Sequence, residues 1–469
     1  MADLSSVIIA DWNLGGLADS IYSGPTNSSA ELVGLDLHSE PGILKVNQKL
    51  TKDSGSTVDD FCIAGLACSD GSSYFFGSTN GKIFKRTSGG TWSVEATAAP
   101  AAGNVGILAA AEYQGYIYYA MQSRLGRVAV GAAWSTRNDS FATFTNTDAT
   151  YHPMFELNEV LYIGDKYYVA QVDAGVFSAN ALDIDARYRV SALGFMNTDL
   201  LIGTYIASNV GQCAIFRWNT WSDSYSVSDS VPEVGVNAFL SNDNQVIVSA
   251  GTKGNLYVYD GVALRHSKQI KGDYSGTNKA VVYNGSVANF HGMPLFGLSN
   301  SSGNPATLGL YSLAAHSAAY QTVLNVEYLL SPGNASNVLI GSILAAGDDL
   351  FVAWKDTTSG TVYGVDKLDS TAKHAGAYMV TRVMQYNRFM TKKLKVEIAY
   401  RTLNGATLTL TKKVNHTAYA GVTLETDANR LVSRATIDLP DVNTLQLKLL
   451  FNASSNNTPE IESIILRFV

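Results

Sequence analysis

Short aromatic or aliphatic runs recur along the first three quarters of the chain, each fed by a turn. They read Tyr74-Phe75-Phe76, Tyr116-Ile117-Tyr118, Leu161-Tyr162-Ile163, Leu200-Leu201-Ile202, Val246-Ile247-Val248, Leu295-Phe296 and Leu350-Phe351-Val352, and their starts are separated by 42, 45, 39, 46, 49 and 55 residues. Before them stand Asp70-Gly71, Gln114-Gly115, Asn158-Glu159, Asn197-Thr198-Asp199, Asn242-Asp243-Asn244, His291-Gly292 and Gly347-Asp348-Asp349. Such residues accept left-handed or tight-turn backbone, so each pair predicts a turn entering a strand. A second run follows, often Gly-x-apolar-aromatic, as in Gly81-Lys82-Ile83-Phe84, Gly254-Asn255-Leu256-Tyr257 and Gly360-Thr361-Val362-Tyr363, with looser forms at Cys213 to Phe216 and Gly309 to Tyr311. Apolar segments such as Phe61-Cys62-Ile63 precede the turns, and polar/apolar segments such as Thr91-Trp92-Ser93-Val94 trail the second runs.

Four short strands in roughly 40 to 55 residues is the size of one β-propeller blade. Seven such units cover residues from about 60 to 370. A linear array would leave a strand face open at each end, whereas a closed ring buries both, so a propeller of about seven blades is expected, with six and eight as the alternatives. The seventh unit runs out after Val365, and its outer strand is expected from the segment around Ile43 to Lys49.

After Thr371 the period stops. Leu394 to Ile398, Leu408 to Thr411, Leu445 to Leu449 and Ile464 to Phe468 alternate apolar with polar positions, as strands with one buried face do. Asn- and Ser-rich loops separate them, which predicts a small β-sandwich or jelly roll. The expected organisation is all-β: an N-terminal extended segment closing the propeller over 1–58, the β-propeller over 59–372 and a C-terminal β-sandwich over 373–469.

Composition sharpens this picture little, because 16% charged residues, 41 Gly and 25 Tyr favour short strands and tight turns. Charge is uneven. From Gly376 to the end there are twelve Lys/Arg against seven Asp/Glu, and before it 21 against 33. An acidic body argues against a general nucleic-acid binder, and the basic C-terminal part has the complementary sign. No apolar stretch reaches the roughly 20 residues that span a bilayer, and the start of the chain carries no secretory signal, so no membrane insertion is expected. Cys62, Cys68 and Cys213 make neither a disulfide framework nor a zinc pattern and read as small apolar core residues.

Catalytic motifs are not found: no phosphate-binding Gly-rich loop, no Gly-x-Ser-x-Gly and no His-Glu-x-x-His. The histidines His38, His152, His266, His291, His316, His374 and His416 are scattered and read as surface or turn residues. A glycoside hydrolase needs two facing carboxylates. Asp183/Asp185 and Asp348/Asp349 fall at predicted turns, and Ser88-Gly89-Gly90-Thr91-Trp92 resembles a sialidase turn but lacks its Asp. Trp218 and Trp221 fit sugar stacking or a blade core. The Asn-x-Ser/Thr triplets at Asn27, Asn138, Asn284, Asn300, Asn334, Asn415 and Asn452 read as polar loops. No catalytic, cofactor or metal residue is assigned, and the chain is not expected to be an enzyme.

The run Trp12-Asn13-Leu14-Gly15-Gly16-Leu17, then Ala30 to Asp36, then Pro41-Gly42-Ile43-Leu44, resembles the opening of many virion proteins of tailed bacteriophages. Thr458-Pro459-Glu460-Ile461-Glu462-Ser463-Ile464, closing in Leu466-Arg467-Phe468, resembles the last strand of the sandwich domains that follow their propellers. Tail nozzle and hub proteins of short-tailed phages share this plan. The resemblance implies a multimeric, non-catalytic structural part of the virion, in the tail or neck. Its partners would be other virion proteins and further copies of the chain, without specific nucleic acid. The alternative is a host-surface or glycan-binding propeller module, and behind that a glycoside hydrolase.

Overall fold

The computed structural model describes residues 6–18, 20–98, 106–145, 151–207, 211–242, 245–272, 274, 278–300, 309–314, 322–332, 337–385, 393–439, 444–453 and 456–469. Asp243, Asn244, His316 and Asn334, named above, lie outside them. Apart from two 3-10 turns, Trp12–Leu14 and Trp134–Thr136, the regular structure among the described residues is strand. None of it is a helix long and apolar enough to cross a membrane. The chain divides into a larger unit, Lys52–Leu308 with Leu330–Lys367, and a smaller unit, Met1–Thr51 with Gly309–Leu329 and Leu368–Val469.

The larger unit is a β-propeller. Its first sheet joins Cys62–Ala67, Ser73–Gly77, Lys82–Arg86 and Trp92–Thr97 in chain order, all antiparallel. Four more sheets repeat that order, starting on Ile107–Tyr113, Met154–Leu157, Tyr188–Met196 and Val236–Asn242. Val287–Phe290 pairs with Met293–Asn300 as a further hairpin. The sheet begun by Val338–Ala346 continues through Asp349–Asp356 and Val362–Lys373. The recurring aromatic runs are the second strands, and they are buried because neighbours cover both faces: Phe75, Phe76, Tyr118, Leu161 and Phe351 are all at most 1% exposed. The turns behave as their residues predict, with positive φ at Gly71, Gly115, Asn158, Asn197, Gly292 and Gly347.

Each first strand neighbours the first strand of the next sheet, and Val338–Ala346 returns to neighbour Cys62–Ala67. Two glycines allow the close approach this circuit needs. A methyl group on Gly341 would sit 2.1 Å from the Cys62 carbonyl oxygen, and one on Gly285 would sit 2.1 Å from that of Ile63. Side chains then stitch neighbours together, with Ser191 Oγ donating to Val236 O at 2.6 Å and Ser342 Oγ to Cys62 O at 3.3 Å.

The smaller unit holds two larger sheets. One runs Ser6–Ile9, Glu460–Phe468, Lys393–Thr402, Val432–Asp438, Glu425–Asp427; the other runs Ser29–Val33, Ala377–Thr381, Thr444–Asn452, Thr407–Val414, Ala420–Val422, with Met384–Gln385 also on Thr444–Asn452. Their apolar faces share one core, in which Leu394, Val396 and Ile398 of the first meet Leu445, Leu447 and Leu449 of the second. Ser6–Ile9 and Ser29–Val33, expected in a segment that closes the ring, are strands of these two sheets, paired as Ile9↔Ile464 and Val33↔Tyr378. Trp12, Leu32, Leu35 and Leu44 enter the same core. Burying those side chains outweighs an extended solvent-exposed course for the first fifty residues.

Candidate functional site

Five first strands of the propeller carry a bulge at one shared register, between Cys62/Ala64, Ile107/Ala109, Val190/Ala192, Val236/Ala238 and Ile340/Ser342. A bulge leaves one residue unpaired and re-aims its side chain. The residues so placed are Ile63, Leu108, Ser191, Asn237 and Gly341. Three of them line a pocket of about 210 Å³ in the larger unit, walled by Phe61, Tyr151, Pro153 and Tyr283 and edged by Ser78, Asn284 and Gly285. Lining residues come from separate sheets, so this is a place where the propeller brings distant parts of the chain to one point.

The aromatic residues are held by one another. Phe61 and Tyr283 meet edge to face with centroids 5.4 Å apart, and Tyr151 and Tyr205 do so at 5.6 Å. Burial pushes the Tyr283 phenol up to about 12, helped by the neighbouring Tyr151, and burial raises Tyr151 too. Both phenols therefore stay neutral across the physiological range. Ser78 Oγ is committed to Phe61 O at 2.8 Å and Ser191 Oγ to Val236 O.

His152, which also lines the pocket, is buried and stacked on Phe144 at 4.0 Å. Its Nδ1 lies 2.7 Å from Gly164 O and its Nε2 2.9 Å from Gln122 O. Burial lowers its pKa against the pull of those two carbonyls and of Asp165. This corrects the expectation of a surface or turn histidine: both ring nitrogens are turned to the backbone, which makes His152 a clasp between strands.

The other candidates are dispersed. His38 is mostly buried beside Glu327, His374 is partly buried, and His266, His291 and His416 are exposed. Asp185 caps the Arg187 amide, Asp348 is exposed and Asp349 pairs with Lys367, so neither acid pair faces another across a cleft. Trp218 is core, its Nε1 donating to Ser222 O, whereas Trp221 is 84% exposed. In the sialidase-like turn, Trp92 Nε1 donates to Asp53. All three cysteines are free and buried, with burial raising each thiol's pKa, to about 12 for Cys68 and Cys213. Among the described residues no three His, Cys, Asp or Glu are grouped to hold a metal ion.

The pocket itself escaped the sequence reading. Part of its signal was present in the apolar residues Ile63 and Leu108 near the start of their repeats, but alternation assigns such a residue to a core and cannot reveal that a bulge turns it to an opening.

No protein-family model matches the chain, and no curated protein matches it. Among solved structures, catalytically inactive virginiamycin B lyase from Staphylococcus aureus, solved with quinupristin, aligns over 68% of this chain and 98% of its own, at 12% identity and a TM-score of 0.50. A streptogramin B lyase aligns over 69% and 98%, at 13% identity and TM-score 0.46. The extracellular domain of a hybrid two component system from B. thetaiotaomicron aligns over 71% of this chain, at 16% identity and TM-score 0.47, and the chain spans 41% of that domain's length. At such identities the likeness to the virginiamycin B lyase concerns the fold alone.

Proposed function

We propose that the chain is a non-catalytic structural component of a tailed-phage virion, in the tail or neck assembly. It is built as a seven-bladed propeller with a C-terminal β-sandwich. The blade number is supported by the circuit of first strands, which returns to its start after seven members, and the sandwich by the single core shared between the two sheets of the smaller unit. The observation that carries the functional reading is the meeting of the segments in which the phage-like motifs lie. Trp12 Nε1 donates to Ile461 O at 3.2 Å, Leu44 and Ile461 exchange two backbone hydrogen bonds, and the Val46 amide donates to Thr458 Oγ1 at 2.7 Å. Motifs that resemble one family at both ends thus form one folded element, as parts of a shared plan would.

In this role the partners are other virion proteins and copies of the chain itself. The acidic first part and the basic last part suit contacts between neighbouring subunits, which salt screens over about 8 to 10 Å. Mass spectrometry and cryo-electron microscopy of purified particles from the source test the proposal, and the protein is expected at fixed copy number in the tail or neck. Its absence from particles, together with glycan cleavage by the purified chain, would overturn the reading in favour of an enzyme.

A further inference from the structure

We propose that the aromatic-lined pocket of the propeller binds one neutral pyranose ring, presented as a terminal or branching residue of a neutral glycan. The first reason is the combination of surfaces. Tyr151, Tyr283 and Phe61 offer aromatic area while Ile63, Leu108 and Pro153 add apolar lining, and a pyranose has one face of C–H bonds suited to such a surface.

The second reason is unspent hydrogen-bonding capacity. Among the described residues the hydroxyls of Tyr151 and Tyr283 and the carboxamide of Asn284 have no partner, whereas Ser78 and Ser191 are already committed to carbonyls. Ring hydroxyls at the rim of the sugar would satisfy them. A wholly apolar ring of the same size would leave them unpaired.

The third reason is charge and size. Among the described residues no Asp, Glu, Lys or Arg lines the pocket, so a uronic or sialic acid would lose its water without gaining a cation from them. The pocket, about 210 Å³, falls below the ~300–1,000 Å³ of sites for drug-sized ligands, which limits the occupant to one ring. This inference goes beyond the structural role and does not rest on it: particle composition tests the one, sugar binding by the isolated chain the other.

The test is saturation-transfer NMR and calorimetry on the full chain with methyl glucopyranoside, methyl galactopyranoside and N-acetylglucosamine, with glucuronate and phenol as comparators. At least one neutral sugar is expected to bind saturably and to be preferred over both comparators. Tyr151→Ala should weaken it about five- to tenfold with unchanged thermal unfolding, since Tyr151 is 38% exposed. Leu108→Trp should fill the pocket and abolish binding; where it fails to fold, Tyr151→Ala decides alone. Saturation by no neutral sugar, a preference for phenol or glucuronate, or sugar binding indifferent to Tyr151→Ala overturns the proposal.

Discussion

The two units of this chain are both antiparallel β, yet they are assembled in opposite ways. In the larger unit nearly every pairing is a local hairpin, such as Asp199–Ile206 on Tyr188–Met196. In the smaller unit residues from the two ends of the chain are partners, as in Ser6↔Arg467 and Ile8↔Ile465. Their buried acids differ in the same sense. Asp366, in the larger unit, receives hydrogen bonds from Trp354 Nε1 and from the amide and hydroxyl of Ser331, and burial outweighs them and raises its pKa. Glu327, in the smaller unit, is also fully buried, but bonds from His38, Ser312 and Asn325, with the His38 charge, hold its pKa below the ordinary value. Asn47 also donates to it at 2.7 Å. The lesson is that a repeat stabilises itself with neutral donors, whereas joining distant stretches here uses a charged cluster around one carboxylate.

Deleting residues 1–50 tests the contrast most severely. It removes Trp12, Leu32, Leu35, Leu37, Leu44 and Val46, none more than 2% exposed, from the smaller unit. With a few kcal/mol at stake for each, the loss exceeds the ~5–15 kcal/mol that holds a typical domain, and Ala377–Thr381 and Glu460–Phe468 become open edges. Size-exclusion chromatography should show aggregation; a monodisperse product with unchanged melting would mean the smaller unit does not need its N-terminal strands. Next, Glu327→Ala should cost about 3–5 kcal/mol in urea unfolding, as breaking a buried ion pair does. Asp366→Ala, which strands neutral donors only, should cost about 1–3 kcal/mol. Equal costs would erase the distinction. Gly341→Ala should cost about 1–3 kcal/mol by overpacking against Cys62 O, and a neutral result would show that the first strands can spread.

Legibility in the sequence follows the same divide. Tyr74-Phe75-Phe76 and its six counterparts could be read because a hairpin places its turn, its strand and its burial within a dozen residues. The alternation at Leu394 to Ile398 announced a strand with one buried face, but nothing in a period of two names its partner, so the pairing of Ser6–Ile9 with Glu460–Phe468 went unseen. His152 was misread because a turn-rich neighbourhood says nothing of the two carbonyls waiting at Gly164 and Gln122. The aromatic pocket draws Ile63, Leu108 and Ser191 from bulges at one register in separate sheets, a backbone geometry that alternation does not announce.

The smallest expected effect separates the units by the sign of their pH dependence. Burial pulls the His38 pKa down, but the hydrogen bond and charge of Glu327, with the charge of Asp36, outweigh it and leave the pKa above 6.5. The folded smaller unit therefore holds this proton more tightly than the unfolded chain does. Its contribution is complete below pH 6.5 and fades as pH rises through the raised value. Glu327 contributes in the complementary direction, fully above its ordinary 4.5 and less as pH falls through its lowered value, so the pair supports folding best between those limits. His152 in the larger unit is shifted down, chiefly by burial, so its contribution is present above pH 6.5 and fades below it. Raising pH from 6 to 8 thus weakens the His38 contribution while restoring that of His152. Urea unfolding of the full chain at both pH values, compared with His38→Gln and His152→Gln, should give changes in pH slope of opposite sign. If both substitutions move the slope the same way, the two histidines share one environment and the contrast between the units fails at this site.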